Sequence, residues 1–193
     1  MILAGDIGGT NARLACFKAG EGGRLTSVLE KDYPSREYAT LEEIVSQFVD
    51  QSGVAVDGAC FGIAGPVENG RVVTPNLPWV VDKQELVRRL GSETVLLLND
   101  LEANTYGIEA LGPDDLVVLN QGAEEAEGNY AVIAAGTGLG EAGAYWDGRT
   151  HRPLACEGGH SDFAPRNELE TELLVALLKQ YDHVSYERVL SGA

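Results

Sequence analysis

The sequence predicts an α/β fold built on a mixed sheet, and three observations carry this. Residues 2–33 read as strand–turn–strand–turn–strand, an antiparallel meander. Helical periodicity and short buried-strand runs then alternate, the mark of parallel strands joined by helices. Beyond Gly112-Pro113 a strand set begins again, so a second, unfinished unit of the same kind is expected.

The elements follow in order. Ile2 to Gly5 is a short apolar run, and Ile7-Gly8-Gly9-Thr10-Asn11 is a turn by composition. Ala12 to Phe17 reads as the second strand, Gly20 to Gly23 as a turn, and Leu25 to Tyr33 as the third strand. Leu41, Ile44, Val45, Phe48 and Val49 share one helical face, opened by the capping-box pair Thr40 and Glu43. Gly58 to Ile63 is a buried strand stopped by Gly65-Pro66. Asp82 caps a helix running to Leu90, with Glu85 as its N3 partner and Gly91 past its end. Thr94 to Leu98 is a strand ending at Asn99-Asp100, and a helix follows to Leu111. The order is β-β-β-α-β-α-β-α. The second unit opens with Leu116 to Leu119 and Tyr130 to Ala135 as strands around the acidic loop Gly122 to Gly128. A hairpin at Asp147-Gly148 follows, then a helix over Glu168 to Tyr181 and a last helix capped by Ser185. Gly112-Pro113 marks the domain boundary.

Composition excludes several classes. The chain has 193 residues with 14 Lys and Arg against 30 Asp and Glu, a net charge of −16. A polyanion is repelled by nucleic acid and by anionic membranes, so neither is an expected partner. No apolar run is long enough to span a bilayer. The N-terminus is apolar for only a few residues before Asp6, which predicts no secretory leader. The 3 cysteines, Cys16, Cys60 and Cys156, show no zinc spacing and read as buried free thiols. A cytoplasmic location is expected.

Two glycine loops stand out, each after the first strand of its unit: Asp6-Ile7-Gly8-Gly9-Thr10-Asn11 and Gly136-Thr137-Gly138-Leu139-Gly140. Glycines let backbone amides approach an anion, and threonine adds a donor. Singly each reads equally as a tight β-turn; as a pair they suit a polyphosphate. Gly138-x-Gly140-x-x-Gly143 formally matches a dinucleotide fingerprint, but a strand follows it where that motif needs a helix. Asp100 ends a parallel strand, where open α/β sheets place their ligands, and there a carboxylate can act as general base. Its plainer reading is a helix cap. Glu157-Gly158-Gly159-His160 offers an acid and an imidazole to a polyol, or is simply a polar turn. Asn76-Leu77-Pro78-Trp79 offers an amide and an aromatic rim, and by itself reads as a structural loop. His151 and His183 have no partnered pattern and read as surface residues.

Taken together, Asp6 to Asn11, the Gly62 to Pro66 turn, Leu98-Asn99-Asp100, Gly136 to Gly140, Glu157 to His160 and Glu187-Arg188-Val189-Leu190-Ser191-Gly192 resemble, in this order, the bacterial glucokinases. The resemblance covers nearly the whole chain. It implies an actin-like, ribonuclease-H-like ATPase fold of two lobes, with residues 1–111 forming the small lobe and 112–193 beginning the large one. It implies that Asn99, Asp100, Glu157, His160 and Glu187 bind glucose hydroxyls and that Asp100 is the catalytic base. Asp6, Gly8, Gly9, Thr10 and Asn11, with Gly136, Thr137 and Gly138, would bind the phosphates of ATP, and Asp6 would hold Mg²⁺ through water. The family's adenosine-binding motif lies beyond Ala193, so little turnover is expected of these 193 residues alone. The cysteine-rich zinc motif of the related repressor and sugar-kinase group is missing, so no structural zinc is expected. No helix-turn-helix precedes the first strand, which disfavours a repressor. A kinase for another hexose and a non-catalytic sugar-binding fragment remain as alternatives, and a homodimer is compatible with either.

Overall fold

In the computed structural model, residues 1–20, 24–123, 126 and 128–192 are described. The chain forms two compact units, Met1–Ala103 and Asn104–Ala193.

The first unit is a five-stranded sheet in the order β3-β2-β1-β4-β8. Strands β1 (Ile2–Ile7), β2 (Asn11–Ala19) and β3 (Leu25–Pro34) make the expected antiparallel meander. Asp6 lies inside β1, because the strand runs on to Ile7. Gly20 N–H donates to Arg24 O at 2.8 Å across the second connection, whose middle, residues 21–23, lies outside the described residues. β4 (Gly58–Ile63) pairs parallel to β1, and β8 (Val95–Asn99) pairs parallel to β4. This is the mixed sheet the pattern predicts.

Helix α1 (Leu41–Ser52) buries Leu41, Ile44, Val45 and Phe48 on one face. Thr40 Oγ1 accepts from Glu43 N–H at 3.3 Å, while Glu43 Oε2 accepts from Ala39 N–H at 2.9 Å, one residue before the cap. Helix α2 (Lys83–Leu90) starts at Asp82, whose carboxylate accepts from Gln84 N–H, and ends at Gly91 with φ 66°. Glu85 faces Arg88 rather than the cap. The core joins Leu3, Leu14, Phe48, Phe61, Trp79 and Leu97 with their neighbours.

Three short strands between β4 and α2 were not anticipated: β5 (Val67–Glu68), β6 (Arg71–Val73) and β7 (Val80–Asp82), in one antiparallel sheet. Each is too short to show alternation. The signal lay in Asn69-Gly70, at φ 52° and 75°, the residue pair a tight hairpin turn favours. Trp79 is a core residue rather than a rim, with its Nε1–H donating to Tyr38 O at 3.1 Å.

Helix α3 (Asp100–Ile108) carries the chain from the first unit into the second and stops short of Leu111. The boundary between the two compact units falls inside this helix, between Ala103 and Asn104. The second unit holds a three-stranded antiparallel sheet, β11-β10-β9, from β9 (Tyr130–Ala135), β10 (Leu139–Trp146) and β11 (His151–Cys156). Leu116 to Leu119 is no strand: Val117 and Leu119 are 83% and 93% exposed. β-Branched residues form a strand only where a partner edge receives them. Of the acidic loop, Glu124, Glu125 and Glu127 lie outside the described residues. Asp147 closes the β10–β11 turn, accepting from Arg149 and Thr150 N–H.

Helix α4 (Glu168–Leu177) ends before Tyr181 and buries none of its residues; Leu169 is 75% exposed. Ile133 of β9 is likewise exposed. Helix α5 (Tyr186–Leu190) begins at Ser185, whose hydroxyl accepts from Arg188 N–H. Among the thiols Cys16 is buried and Cys60 partly so, and burial raises both pKa values; Cys156 is exposed, contrary to expectation. Among the described residues no helix is long and apolar enough to cross a membrane.

Candidate active site

In the first unit the site residues gather at the carboxyl ends of β1, β4 and β8. Asn99 is the last residue of β8, opposite Ile63 of β4. Its Nδ2–H donates to Gly65 O at 3.2 Å, and its Oδ1 accepts from Leu101 N–H at 3.0 Å and Glu102 N–H at 3.4 Å. Asn99 is thus the cap of α3 and fixes the turn from strand to helix. Asp100 follows in the first turn, half-buried, its Oδ1 accepting from Leu101 N–H at 2.9 Å. The helix N-terminus favours its negative charge.

The first glycine loop joins β1 to β2. Gly8 N–H donates to Asn11 O at 3.0 Å. The amides of Gly9 and Thr10 donate no hydrogen bond within the described residues. Asn76 Cβ lies 2.8 Å from where a side chain on Gly9 would begin, so residue 9 must lack one. Asp6, Thr10 and Asn11 are exposed. Such a hairpin offers bare N–H groups and a nearby carboxylate, the donor set for a phosphate with a hydrated cation.

In the second unit, Glu157, His160 and Glu187 come together from distant positions. Glu157 precedes, and His160 ends, a 3₁₀ turn (Gly158–His160) after β11. Phe163 N–H donates to Val184 O at 2.9 Å and Tyr186 N–H to Ser161 O at 3.0 Å, which seats α5 against this turn. Phe163 and Tyr186 meet edge to face at 5.5 Å. The outcome is His160 Nε2 at 3.3 Å from Glu187 Oε1, and His160 Nδ1 at 3.8 Å from Glu157 Oε2.

Glu187 also reaches the second glycine hairpin, between β9 and β10: its Oε2 accepts from Leu139 N–H at 2.9 Å. Gly136 N–H donates to Gly138 O at 2.8 Å, and Gly136 O accepts from Gly192 N–H at 2.9 Å. Among the described residues the amides of Thr137 and Gly138 donate to nothing. The Glu157–His160–Glu187 cluster and the second glycine hairpin are therefore adjacent within one unit.

His151 is no free surface residue. Its Nδ1 lies 2.9 Å from Glu109 Oε1 and its Nε2 2.9 Å from Gly128 O, between the rings of Tyr130 and Trp146. The Gly128 carbonyl and Glu109 raise its pKa above 6.5. His183 is exposed, as expected, 2.6 Å from Asp162. Among the described residues no group of three or more His, Cys, Asp or Glu is placed to hold a metal ion. Asn76, which the sequence offered as an amide or as part of a structural loop, packs on Gly9; Ser35, bonded to Gly8 and Thr10, was not anticipated. Ser35 sits in no motif.

Known proteins resemble this chain along its whole length. The glucokinase of a Nostoc species is 40% identical over 196 residues, which cover 100% of this chain and 57% of the relative. A glucokinase crystal structure from an Antarctic psychrotroph matches with a TM-score of 0.85 at 30% identity, over 98% of this chain and 60% of that one. A glucokinase from Balamuthia mandrillaris, solved in complex with glucose, matches with a TM-score of 0.68 at 25% identity, covering 98% of this chain and 59% of that one. The chain spans about 57% of the length of the curated relatives it matches. The α/β fold is that of the actin-like sugar kinases. The glucokinase family model matches residues 3–193, and the chain belongs to the glucokinase family.

Proposed function

We propose that these residues carry out ATP-dependent phosphorylation of glucose at its 6-hydroxyl. The observation that carries the proposal is the adjacency of Glu157, His160 and Glu187 to the hairpin amides of Thr137 and Gly138. Sugar hydroxyls need alternating donors and acceptors, and a phosphate chain needs bare N–H groups. The same unit supplies both.

In this reading Asn99, Glu157, His160 and Glu187 hold the sugar. Asp100 takes the proton of the 6-hydroxyl as that oxygen attacks the γ-phosphorus in line. Gly8, Gly9, Thr10 and Asn11, with Gly136, Thr137 and Gly138, hold the phosphates of ATP. The fixed amides stabilise charge that develops on the transferring group, so positioning and electrostatics do most of the work. Asp6, exposed beside the first hairpin, fits Mg²⁺ held through water. Mg²⁺, when bound, supplies charge neutralisation across the phosphates. Residues 1–111 form the small lobe and 112–193 begin the large one, in a cytoplasmic enzyme.

A sugar panel tests the reading. ADP release by the intact protein is measured with glucose, mannose and N-acetylmannosamine at equal concentration. Glucose should give the highest kcat/KM. A higher value for either other sugar would overturn the substrate assignment, and no sugar-dependent ADP release at all would overturn the activity.

A further inference from the structure

Ser35 is fully buried at the end of the first meander, and both of its polar backbone and side-chain donors point at the same loop. Its Oγ–H donates to Gly8 O at 2.8 Å, and its N–H donates to Thr10 O at 2.9 Å. A peptide group is planar, with C=O and N–H pointing in opposite directions. Capture of the Gly8 carbonyl therefore turns the Gly9 N–H away from Ser35, to the open side of the hairpin. Capture of the Thr10 carbonyl fixes the other end of the same turn. Asn76, against the Gly9 Cα, closes the remaining direction of movement.

The second hairpin is held in the same sense. Gly192 N–H captures the Gly136 carbonyl at 2.9 Å, which turns the Thr137 N–H outward. In each hairpin the carbonyl of the first glycine is taken by a residue from a later element, and the next amide is left without a partner among the described residues.

We propose that Ser35 is a positioning residue for phosphoryl transfer: its hydroxyl aims the Gly9 amide at the phosphate chain. The inference rests on the phosphate-hairpin reading above. A hydrogen-bond donor gains most when it is oriented before its ligand arrives, since no reorganisation is then needed. Without the hydroxyl, the part-buried Gly8 carbonyl loses its partner and the Gly8–Gly9 peptide loses one of its restraints.

The test uses the ¹⁵N-labelled 193-residue chain, wild type and Ser35→Ala, with inorganic tripolyphosphate as probe. In the ligand-free proteins, the substitution should move the Gly9 amide resonance, with changes confined to Gly8–Asn11 and Ser35–Tyr38. Tripolyphosphate should then bind about threefold to tenfold more weakly, the worth of one net hydrogen bond. An unmoved Gly9 resonance with unchanged affinity would overturn the proposal. So would changes spread through the β1–β4 core, which give the hydroxyl a general packing role. The underlying reading has its own control. Wild-type Gly9 and Thr10 resonances that ignore tripolyphosphate would sink the phosphate assignment, whereas the ligand-free comparison still decides whether Ser35 orients the loop.

Discussion

The Glu187 carboxylate and the Leu139 amide meet at 2.9 Å, tying α5 to the base of the second glycine hairpin. The other oxygen of the same carboxylate lies 3.3 Å from His160 Nε2. One side chain therefore links His160 to the second glycine hairpin.

This contact explains why residue 138 is glycine. A Cβ there would lie 2.6 Å from Glu187 Oε2, whereas a Cβ on Gly136 meets nothing within 4 Å. Gly138→Ala should displace the carboxylate from the Leu139 amide and destabilise the second unit by about 0.5–1.5 kcal/mol, the net worth of that hydrogen bond. Gly136→Ala, two residues away in the same hairpin, should cost less than about 0.5 kcal/mol. Urea denaturation of the two variants checks the difference, and equal losses would remove the Glu187 contact as its cause.

Glu157 is proposed to act on the sugar and not on a metal. Glu157→Gln keeps the shape and loses the charge. A hydrogen bond to a charged group is worth roughly 1.5–3 kcal/mol, so glucose should bind about 10- to 100-fold more weakly. Calorimetric titration measures this. Chelation should leave the fold intact, and zinc recovered in stoichiometric amount and lost together with folding would contradict the assignment.

His151 makes stability depend on pH. A carboxylate and a carbonyl face its two nitrogens, so only the doubly protonated ring can donate to both. Its folded pKa is raised, with Glu109 and Asp147 adding attraction. A raised folded pKa means stability fully present below the unfolded pKa and lost as pH rises through the folded one. The advantage of wild type over His151→Gln in thermal melting should therefore be larger at about pH 6 than at about pH 9. A difference that grows with pH would reverse the sign and refute the arrangement. Asp147, in the neighbouring turn, is held down to about 2 by the Thr150 and Arg149 amides and Arg152. Its contribution is lost only as pH falls through that value.

The meander, α1, α2, β4 and β8 were legible because each carries its own period and its own cap. Thr40, Asp82 and Ser185 all cap as their patterns imply. The strands β5–β7 were not legible, since two or three residues cannot show alternation; only Asn69-Gly70 marked them. Leu116 to Leu119 misled because sequence shows β-propensity but not whether an edge exists to receive it. The motif residues of the candidate site were all visible in sequence. Their meeting was not: His160 and Glu187 are joined through Phe163–Val184 backbone pairing, which no local pattern encodes. Ser35, and the packing of Asn76 on Gly9, lay hidden for the same reason, because they involve glycines far away in sequence.

The central claim is that Asp100 is the base in glucose phosphorylation, and one comparison tests it most directly. ADP release by the intact protein is followed at saturating glucose and Mg-ATP, for wild type and Asp100→Asn, with glucose affinity measured alongside. Asn keeps the size of the side chain and cannot take the proton. The account predicts kcat lower by about 10²–10⁴-fold with glucose affinity changed far less. An Asp100→Asn enzyme with near-normal kcat would remove Asp100 from the chemistry and contradict the account.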